Sequence, residues 1–243
     1  QQITTTLDPE LQRLAGRVIN GARLGGAQAA LVAMRPTGEV VAMIGGKNYS
    51  ESPFNRSTQA QRQPGSTFKL FVWLAALKAG LDADDVINNS EFTKGSYRPR
   101  NANGRYSDEI TLADGFAQSS NVAAVRLFGM VGDKAVIETA RGLGITSPLA
   151  EDDPSLALGT SEVNLLELTA AYAGVASNSW PVEPRAFAAE EPGWFDWVFD
   201  GKSSFSGRQQ EAIQTMLRQA INAGTGRAAT LPIANYGKTG TSQ

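Results

Sequence analysis

At residues 64–80 the sequence reads PGSTFKLFVWLAALKAG, a serine turn followed by an apolar run that contains two lysines, Lys69 and Lys78. A surface helix would show a polar face at helical spacing, and this segment has none, so it predicts a helix buried inside the fold. Gly65 permits a tight turn just before that helix. Ser66 and Lys69 then lie on one face of the helix, one turn apart.

The segments on either side of this helix predict an α+β fold. Upstream, Asp8-Pro9 predicts a helix start, and the β-prone runs 29–34 and 39–44 predict a hairpin. Downstream, helical patterns occupy 111–128, 133–143, 165–177 and 208–223, with strands expected at 194–199 and 235–243. Because the strands are far apart in sequence, this order favours α+β over a doubly wound α/β sheet.

The composition removes several classes of function. The 243 residues contain no histidine and no cysteine, which excludes a Ser-His-Asp triad, a thiol nucleophile and the common zinc motifs. The 22 basic and 24 acidic residues give a formal charge of −2, so the chain has no basic footprint for nucleic acid. A base that activates a nucleophile must therefore be Lys, Asp, Glu or Tyr.

The pair Ser66 and Lys69 has the features of a nucleophile and its base. Ser66 would lie near a helix N-terminus, where free N–H groups and the helix dipole favour developing negative charge. Apolar neighbours would lower the pKa of Lys69 and make the free amine available. The alternative is an N-cap serine beside an exposed lysine, since chance supplies about one Ser-x-x-Lys pair in a chain of this size.

Two further polar motifs carry groups that bind or move protons. Ser119-Ser120-Asn121 offers a hydroxyl and an amide, although alone it reads better as a polar turn or N-cap. In Lys238-Thr239-Gly240-Thr241 the lysine offers a positive charge to a carboxylate, and Gly240 leaves room for a ligand backbone. The alternative for this second motif is a chain end rich in turn residues.

The three motifs together occur in the order and spacing of penicillin-binding proteins and class A β-lactamases. The chain resembles the transpeptidase domain of the bifunctional (class A) penicillin-binding proteins, within the serine DD-transpeptidase and β-lactamase superfamily. The resemblance spans nearly the whole chain. It extends to TTLDPELQ at 5–12, QPGSTFK at 63–69, LGTSEV at 158–163, ELTAAY at 167–172 and GTG at 224–226.

This resemblance implies a role for each motif residue. The catalytic set would contain four residues. Ser66 would be the nucleophile, and Lys69 would accept its proton. Ser119 would pass a proton to the leaving amine, and Asn121 would bind Lys69 and the substrate amide. The substrate-binding set would be Lys238, Thr239, Gly240 and Thr241, at the terminal carboxylate. The backbone N–H groups of Ser66 and Thr241 would form the oxyanion hole. The identity of the base is disputed across the superfamily.

The resemblance also implies an architecture, an antiparallel sheet packed between helices plus an all-helical lobe. We expect one transpeptidase domain over residues 1–243, incomplete at its C-terminus. Its sheet-bearing lobe would cover about 1–70 and 180–243, and its helical lobe about 71–179. The last strands and helix of the family are missing here, so we expect that segment on another chain or outside this sequence.

The implied substrates are D-alanyl-D-alanine stem peptides of peptidoglycan, with β-lactam antibiotics as mimics that acylate Ser66. No metal and no cofactor are implied. The implied location is periplasmic, on the extracytoplasmic face of the bacterial inner membrane, in a parent protein that is membrane-anchored.

Three alternatives stay open: a β-lactam-hydrolysing relative, a DD-carboxypeptidase relative, and a β-lactam-binding module without turnover. Class A hydrolases use an extra glutamate, and no Glu-x-x-Leu-Asn signature lies between Asn121 and Lys238. For the aromatic residues in 194–199, we favour core and sheet packing over a ligand surface.

Overall fold

The computed structural model describes residues 3–93, 97–187 and 201–242. They divide into two compact units. One consists of residues 3–62, 141–147, 163–187 and 201–204, and the other of 63–93, 97–140, 148–162 and 205–242. This division rests on contacts within each unit and does not test the predicted lobes, which stay a prediction.

The first unit is built on the predicted hairpin. Strands β1 (Leu31–Met34) and β2 (Val40–Ile44) pair antiparallel, with Val32 opposite Met43. Helix α1 (Pro9–Gly21) begins where the Asp8 carboxylate accepts hydrogen bonds from the first free N–H groups, as the sequence predicted. The Gln12 side chain holds α1 to β2, because its amide exchanges two hydrogen bonds with the Met43 backbone, of 2.9 and 2.8 Å.

Helix α6 (Leu165–Ser177) completes this unit. Its N-terminus carries a capping box, in which the Asn164 and Glu167 side chains bond reciprocally to each other's backbone N–H. Its Ala170 and Ala173 are buried with Val182, and Met34 of β1 packs on that cluster.

The second unit is built around the apolar helix that follows Ser66. A 3-10 turn (Gly65–Phe68) leads into α2 (Lys69–Lys78), and every residue of α2 before Lys78 is buried. The Trp73 indole donates to Leu112 O at 2.8 Å and meets Phe116 edge-on. The prediction of a buried helix is confirmed, and its burial fixes the position of the turn that carries Ser66.

The other elements of the second unit surround α2. Strands β3 (Val86–Asn89) and β4 (Ser107–Thr111) form an antiparallel hairpin. The helices are α3 (Leu112–Ala117), α4 (Asn121–Val131), α5 (Asp133–Gly142) up to Ala140, and α7 (Gly207–Asn222). Short 3-10 turns cover Pro154–Leu158 and Arg227–Ala229. The helical pattern predicted for 111–128 is therefore two helices, with a break between α3 and α4.

The predicted α+β class is confirmed, but one predicted strand is wrong. Residues 235–242 form no strand, because within the described part of the chain no strand pairs with them. Their backbone instead reaches α7, where Gly237 N donates to Leu217 O at 3.2 Å. The strand predicted at 194–199, with its aromatic residues, lies outside the described residues.

Candidate active site

Ser66 lies in the 3-10 turn that precedes α2. Gly65, just before it, has φ +55°, a conformation that side-chain-bearing residues rarely adopt, and Gly65 N donates to Gly159 O at 3.2 Å. As a residue of a first helical turn, Ser66 has a backbone N–H with no acceptor within the described residues. The Ser66 hydroxyl likewise forms no hydrogen bond with any described residue, so both groups are available to a ligand.

The Lys69 amine is buried and hydrogen-bonded to the turn between α3 and α4. Lys69 Nζ lies 2.7 Å from Ser119 O, 2.6 Å from Asn121 Oδ1 and 3.3 Å from Ser119 Oγ. Its relative exposure is 0%, and no carboxylate among the described residues pairs with it. Burial, and secondarily the nearby charge of Lys238, lowers the pKa of Lys69 well below its usual range.

The Ser119 hydroxyl lies at the meeting point of two amines. Its Oγ accepts from Lys238 Nζ at 2.9 Å as well as from Lys69 Nζ at 3.3 Å. Because both contacts use the oxygen as acceptor, its own proton stays free to be donated. Ser119 has φ +57°, an uncommon conformation for a non-glycine residue and one that often marks a functional site.

Asn121 is held in place by a polar network that the sequence analysis did not find. The buried Asn101 side chain accepts from the backbone N–H groups of Asn121 and Val122, at 2.8 and 3.1 Å, and so caps α4. Ser120 connects Asn101 to Asn89, because Ser120 Oγ donates to Asn89 Oδ1 at 2.6 Å and to Asn101 Oδ1 at 3.1 Å. No local pattern signals these asparagines, since polar residues are common throughout 82–110.

The Lys238 amine lies in contact with the Ser119 hydroxyl, to which it donates. The Nζ also donates to Thr239 O at 2.9 Å and lies 5.7 Å from the centre of the Phe116 ring. Burial lowers the pKa of Lys238 to about 8. Contact between Lys238 and a substrate carboxylate stays a prediction.

The segment Thr239–Thr241 packs closely on the nucleophile turn. A Cβ on Gly240 would lie 2.5 Å from Pro64 O, so only glycine fits there. The backbone N–H of Thr241 has no acceptor within the described residues. Thr225 supports this segment through a 2.6 Å contact between its hydroxyl and that of Thr239. The sequence marked GTG at 224–226 as a family match but gave Thr225 no role.

These groups border one cleft of about 1120 Å³, lined entirely by residues of the second unit. Its lining includes Ser66, Ser119, Asn121, Thr239, Gly240 and Thr241. Lys69 and Lys238 are not in its lining, but both amines contact Ser119, which is. None of the described lining residues is an aspartate or glutamate, and no cluster of potential metal ligands occurs among the described residues. No described helix is long and apolar enough to cross a membrane.

Comparison with known proteins gives a consistent family. The family model of the penicillin binding protein transpeptidase domain matches residues 28–243. Penicillin-binding protein 2D of Bacillus subtilis is 35% identical over 84% of this chain and 32% of its own length. Penicillin-binding protein 1A of Rickettsia typhi is 33% identical over 88% of this chain and, again, 32% of its own length. The chain thus spans about a third of the length of these curated relatives.

Solved structures show the same fold. PonA1 of Mycobacterium tuberculosis, determined in complex with penicillin V, matches 100% of this chain and 69% of its own, with 25% identity and a TM-score of 0.76. A D,D-transpeptidase domain from Eggerthella lenta matches 99% of this chain and 71% of its own, with 21% identity and a TM-score of 0.77. The resemblance noted in the sequence is confirmed.

Proposed function

This chain belongs to the penicillin-binding protein transpeptidase family, and on that premise we propose that it is a serine D-alanyl-D-alanine transpeptidase that cross-links peptidoglycan stem peptides. The observation that carries the proposal is the buried Lys69 amine, hydrogen-bonded to Ser119 and Asn121, which line the same cleft as Ser66. We further propose that it acts on the extracytoplasmic side of the bacterial inner membrane, in a membrane-anchored parent protein.

In the first step, Ser66 Oγ attacks the carbonyl carbon of the penultimate D-alanine, and its proton passes to Lys69. A neutral amine has two N–H groups and one lone pair. In the neutral amine both N–H groups serve the two shortest contacts, to Ser119 O and Asn121 Oδ1, and the longer donation to Ser119 Oγ belongs to the ammonium form. Loss of that third proton therefore leaves the lone pair to accept the proton of Ser66. The lowered pKa raises the fraction of Lys69 that is in this neutral form.

The tetrahedral intermediate carries a negative oxygen that needs hydrogen-bond donors. The backbone N–H groups of Ser66 and Thr241 lack acceptors within the described residues and serve as those donors. In other enzymes one such donor contributes on the order of 3 kcal/mol to transition-state stabilisation. The intermediate collapses when the C–N bond breaks, and Ser119 passes its proton to the departing D-alanine nitrogen and recovers one from Lys69.

The second step transfers the acyl group to an amine of a neighbouring stem peptide, which releases Ser66. Hydrolysis by water would compete, and class A β-lactamases use a glutamate to activate that water. The described lining of this cleft contains no carboxylate, which favours transfer over hydrolysis. A β-lactam would acylate Ser66 in the same way and stay bound.

Mass spectrometry of the chain after incubation with benzylpenicillin tests this proposal. We expect one adduct per chain, mapped to the peptide that contains Ser66, absent in Ser66→Ala and retained in Ser177→Ala, a serine of α6 outside the cleft. Incubation with a stem peptide and an acceptor amine is expected to release D-alanine and give the cross-linked product. An adduct elsewhere, fast turnover of a chromogenic cephalosporin, or labelling without D-alanine release would refute the transpeptidase assignment.

A further inference from the structure

One wall of the cleft carries three arginines, on the loop that joins β3 to β4. Arg98, Arg100 and Arg105 line the cleft. The chain has 24 acidic residues against 22 basic ones, yet none of the acidic residues is found in the described lining. The cleft is therefore positive while the chain as a whole is slightly negative, and a concave positive surface concentrates anions.

The backbone of this loop is fixed to the turn that carries Ser119 and Asn121. Asn121 Nδ2 donates to Arg100 O at 2.7 Å, and Asn101 Nδ2 donates to Arg105 O at 2.8 Å. The loop thus has a set position relative to the proposed catalytic groups, and these anchors use only backbone atoms of the two arginines. A side-chain substitution at either arginine leaves the anchors in place.

Two of the three guanidinium groups have no partner among the residues that the structure describes. Arg98 pairs with Glu91 at 2.5 Å, outside the cleft lining. Within the described residues, the side chains of Arg100 and Arg105 make no hydrogen bond and no ion pair. A guanidinium group is a planar fork of N–H donors that matches a carboxylate. Two guanidinium forks without a described partner, in a cleft whose described lining holds no acidic residue, are suited to an anionic ligand.

We propose that Arg100 and Arg105 bind a non-terminal carboxylate of the stem peptide, and so make this cleft selective for stem peptides whose side-chain carboxylates are free. The inference rests on the proposed function, and the resemblance noted in the sequence predicts that the terminal D-alanine carboxylate binds at Lys238, Thr239 and Thr241. At about 1120 Å³ the cleft exceeds the roughly 300–1,000 Å³ of most ligand sites, so it holds more than the terminal dipeptide. The carboxylate belongs either to the second residue of the stem peptide or to the side chain of the third.

A competition experiment tests this selectivity with three synthetic stem pentapeptides that end in D-Ala-D-Ala. One carries free carboxylates on its second and third residues, and each of the others has one of the two amidated. The measured quantity is the peptide concentration that halves the rate at which labelled benzylpenicillin acylates Ser66. We expect one of the amidated peptides to be roughly tenfold weaker, as for loss of a charge-assisted hydrogen bond, and that peptide identifies the carboxylate.

The double variant Arg100→Gln/Arg105→Gln separates recognition by these arginines from other causes. We expect it to acylate with benzylpenicillin, to melt at the wild-type temperature, and to bind all three peptides within about twofold of one another. The matched control is Arg218→Gln, an exposed arginine of α7 outside the cleft, which should keep the tenfold preference.

The outcomes distinguish this inference from the function on which it rests. If Ser66 is labelled but the wild-type chain binds all three peptides equally, or the double variant keeps the preference, the arginine site is refuted and the transpeptidase proposal stands. If benzylpenicillin does not label Ser66 at all, the proposed function fails and this inference fails with it.

Discussion

Gly159 offers a sharp test of how closely the nucleophile turn must be held. It ends the 3-10 turn Pro154–Leu158 with φ +74°, and its carbonyl accepts from Gly65 N at 3.2 Å. A Cβ added at Gly159 would overlap Gly65 O and lie 2.7 Å from Gly65 N and 2.9 Å from Gly65 C. All three atoms are backbone, so no side chain can move aside.

The expected effects of Gly159→Ala follow from these contacts. Holding alanine in the left-handed region costs about 1–2 kcal/mol. Ordinary van der Waals contact begins near 3.4 Å, so the backbones at Gly159 and Gly65 must separate by about 1 Å. Ser66 follows Gly65 directly, so this displacement reaches the nucleophile. A displacement of that size at a reacting group slows catalysis by about 100-fold. We therefore expect a loss of acylation rate much larger than the loss of stability alone would give.

The assay is the second-order rate constant for acylation by a fluorescent penicillin, measured beside the free energy of unfolding in urea. The matched control is Gly80→Ala, because Gly80 also has a positive φ, of +97°, but a Cβ there would meet nothing within 4 Å. The control should lose only the stability that its positive φ costs and should acylate at nearly the wild-type rate. If Gly159→Ala acylates as fast as Gly80→Ala, the turn does not depend on this contact and the reasoning is wrong.

Two further predictions follow from the groups around Asn121. First, acylation should speed up as pH rises through the lowered pKa of Lys69, because only the neutral amine accepts a proton, and slow above about 8, where Lys238 loses its charge. The second-order rate constant, measured against pH, reports the pKa values of the free enzyme. Lys238→Arg should remove the fall in rate on the alkaline side, because arginine keeps its charge there. A fall that persists in this variant would contradict its assignment to Lys238. Second, Asn101→Ala should lower the free energy of unfolding by about 2 kcal/mol, because one buried and one part-buried N–H group lose their acceptor. Urea titration checks this beside Asn103→Ala, an exposed control that should stay within about 1 kcal/mol of wild type. Equal losses in the two variants would show that the Asn101 cap is unimportant.

The parts of the fold that the sequence predicted are those fixed by local rules. Asp8-Pro9 determines the start of α1 whatever the rest of the chain does, since the cap and the proline act within one turn. The apolar run after Ser66 has no polar face, so it is stable as a helix only when it is buried. The limits predicted for α6 from its local pattern, Leu165 to Ser177, also agree with the structure.

The parts that the sequence missed depend on residues distant along the chain. Asn101 caps α4 from 20 positions away, and Thr225 meets Thr239 across 14 positions. Neither contact leaves a periodic signal, because each is a single pair brought together by tertiary packing. The strand predicted at 235–243 failed on the same ground, since strand structure requires a partner strand and not only an extended, β-prone sequence.

Lys69 shows why the site and the stability of the fold oppose each other. In the unfolded chain Lys69 titrates near its usual 10.5, whereas burial in the folded chain lowers its pKa. Between those two values the unfolded state binds more protons than the folded state, so stability rises with pH across that window and the cost disappears only above the unfolded pKa. No carboxylate among the described residues offsets this cost by ion pairing, since the contacts of the amine are to Ser119 and Asn121. An ion pair would stabilise the ammonium form and raise the pKa, which would remove the free base that acylation needs. The burial of an unpaired amine is therefore destabilising near neutral pH and, for the same physical reason, is what prepares Lys69 to accept the proton of Ser66.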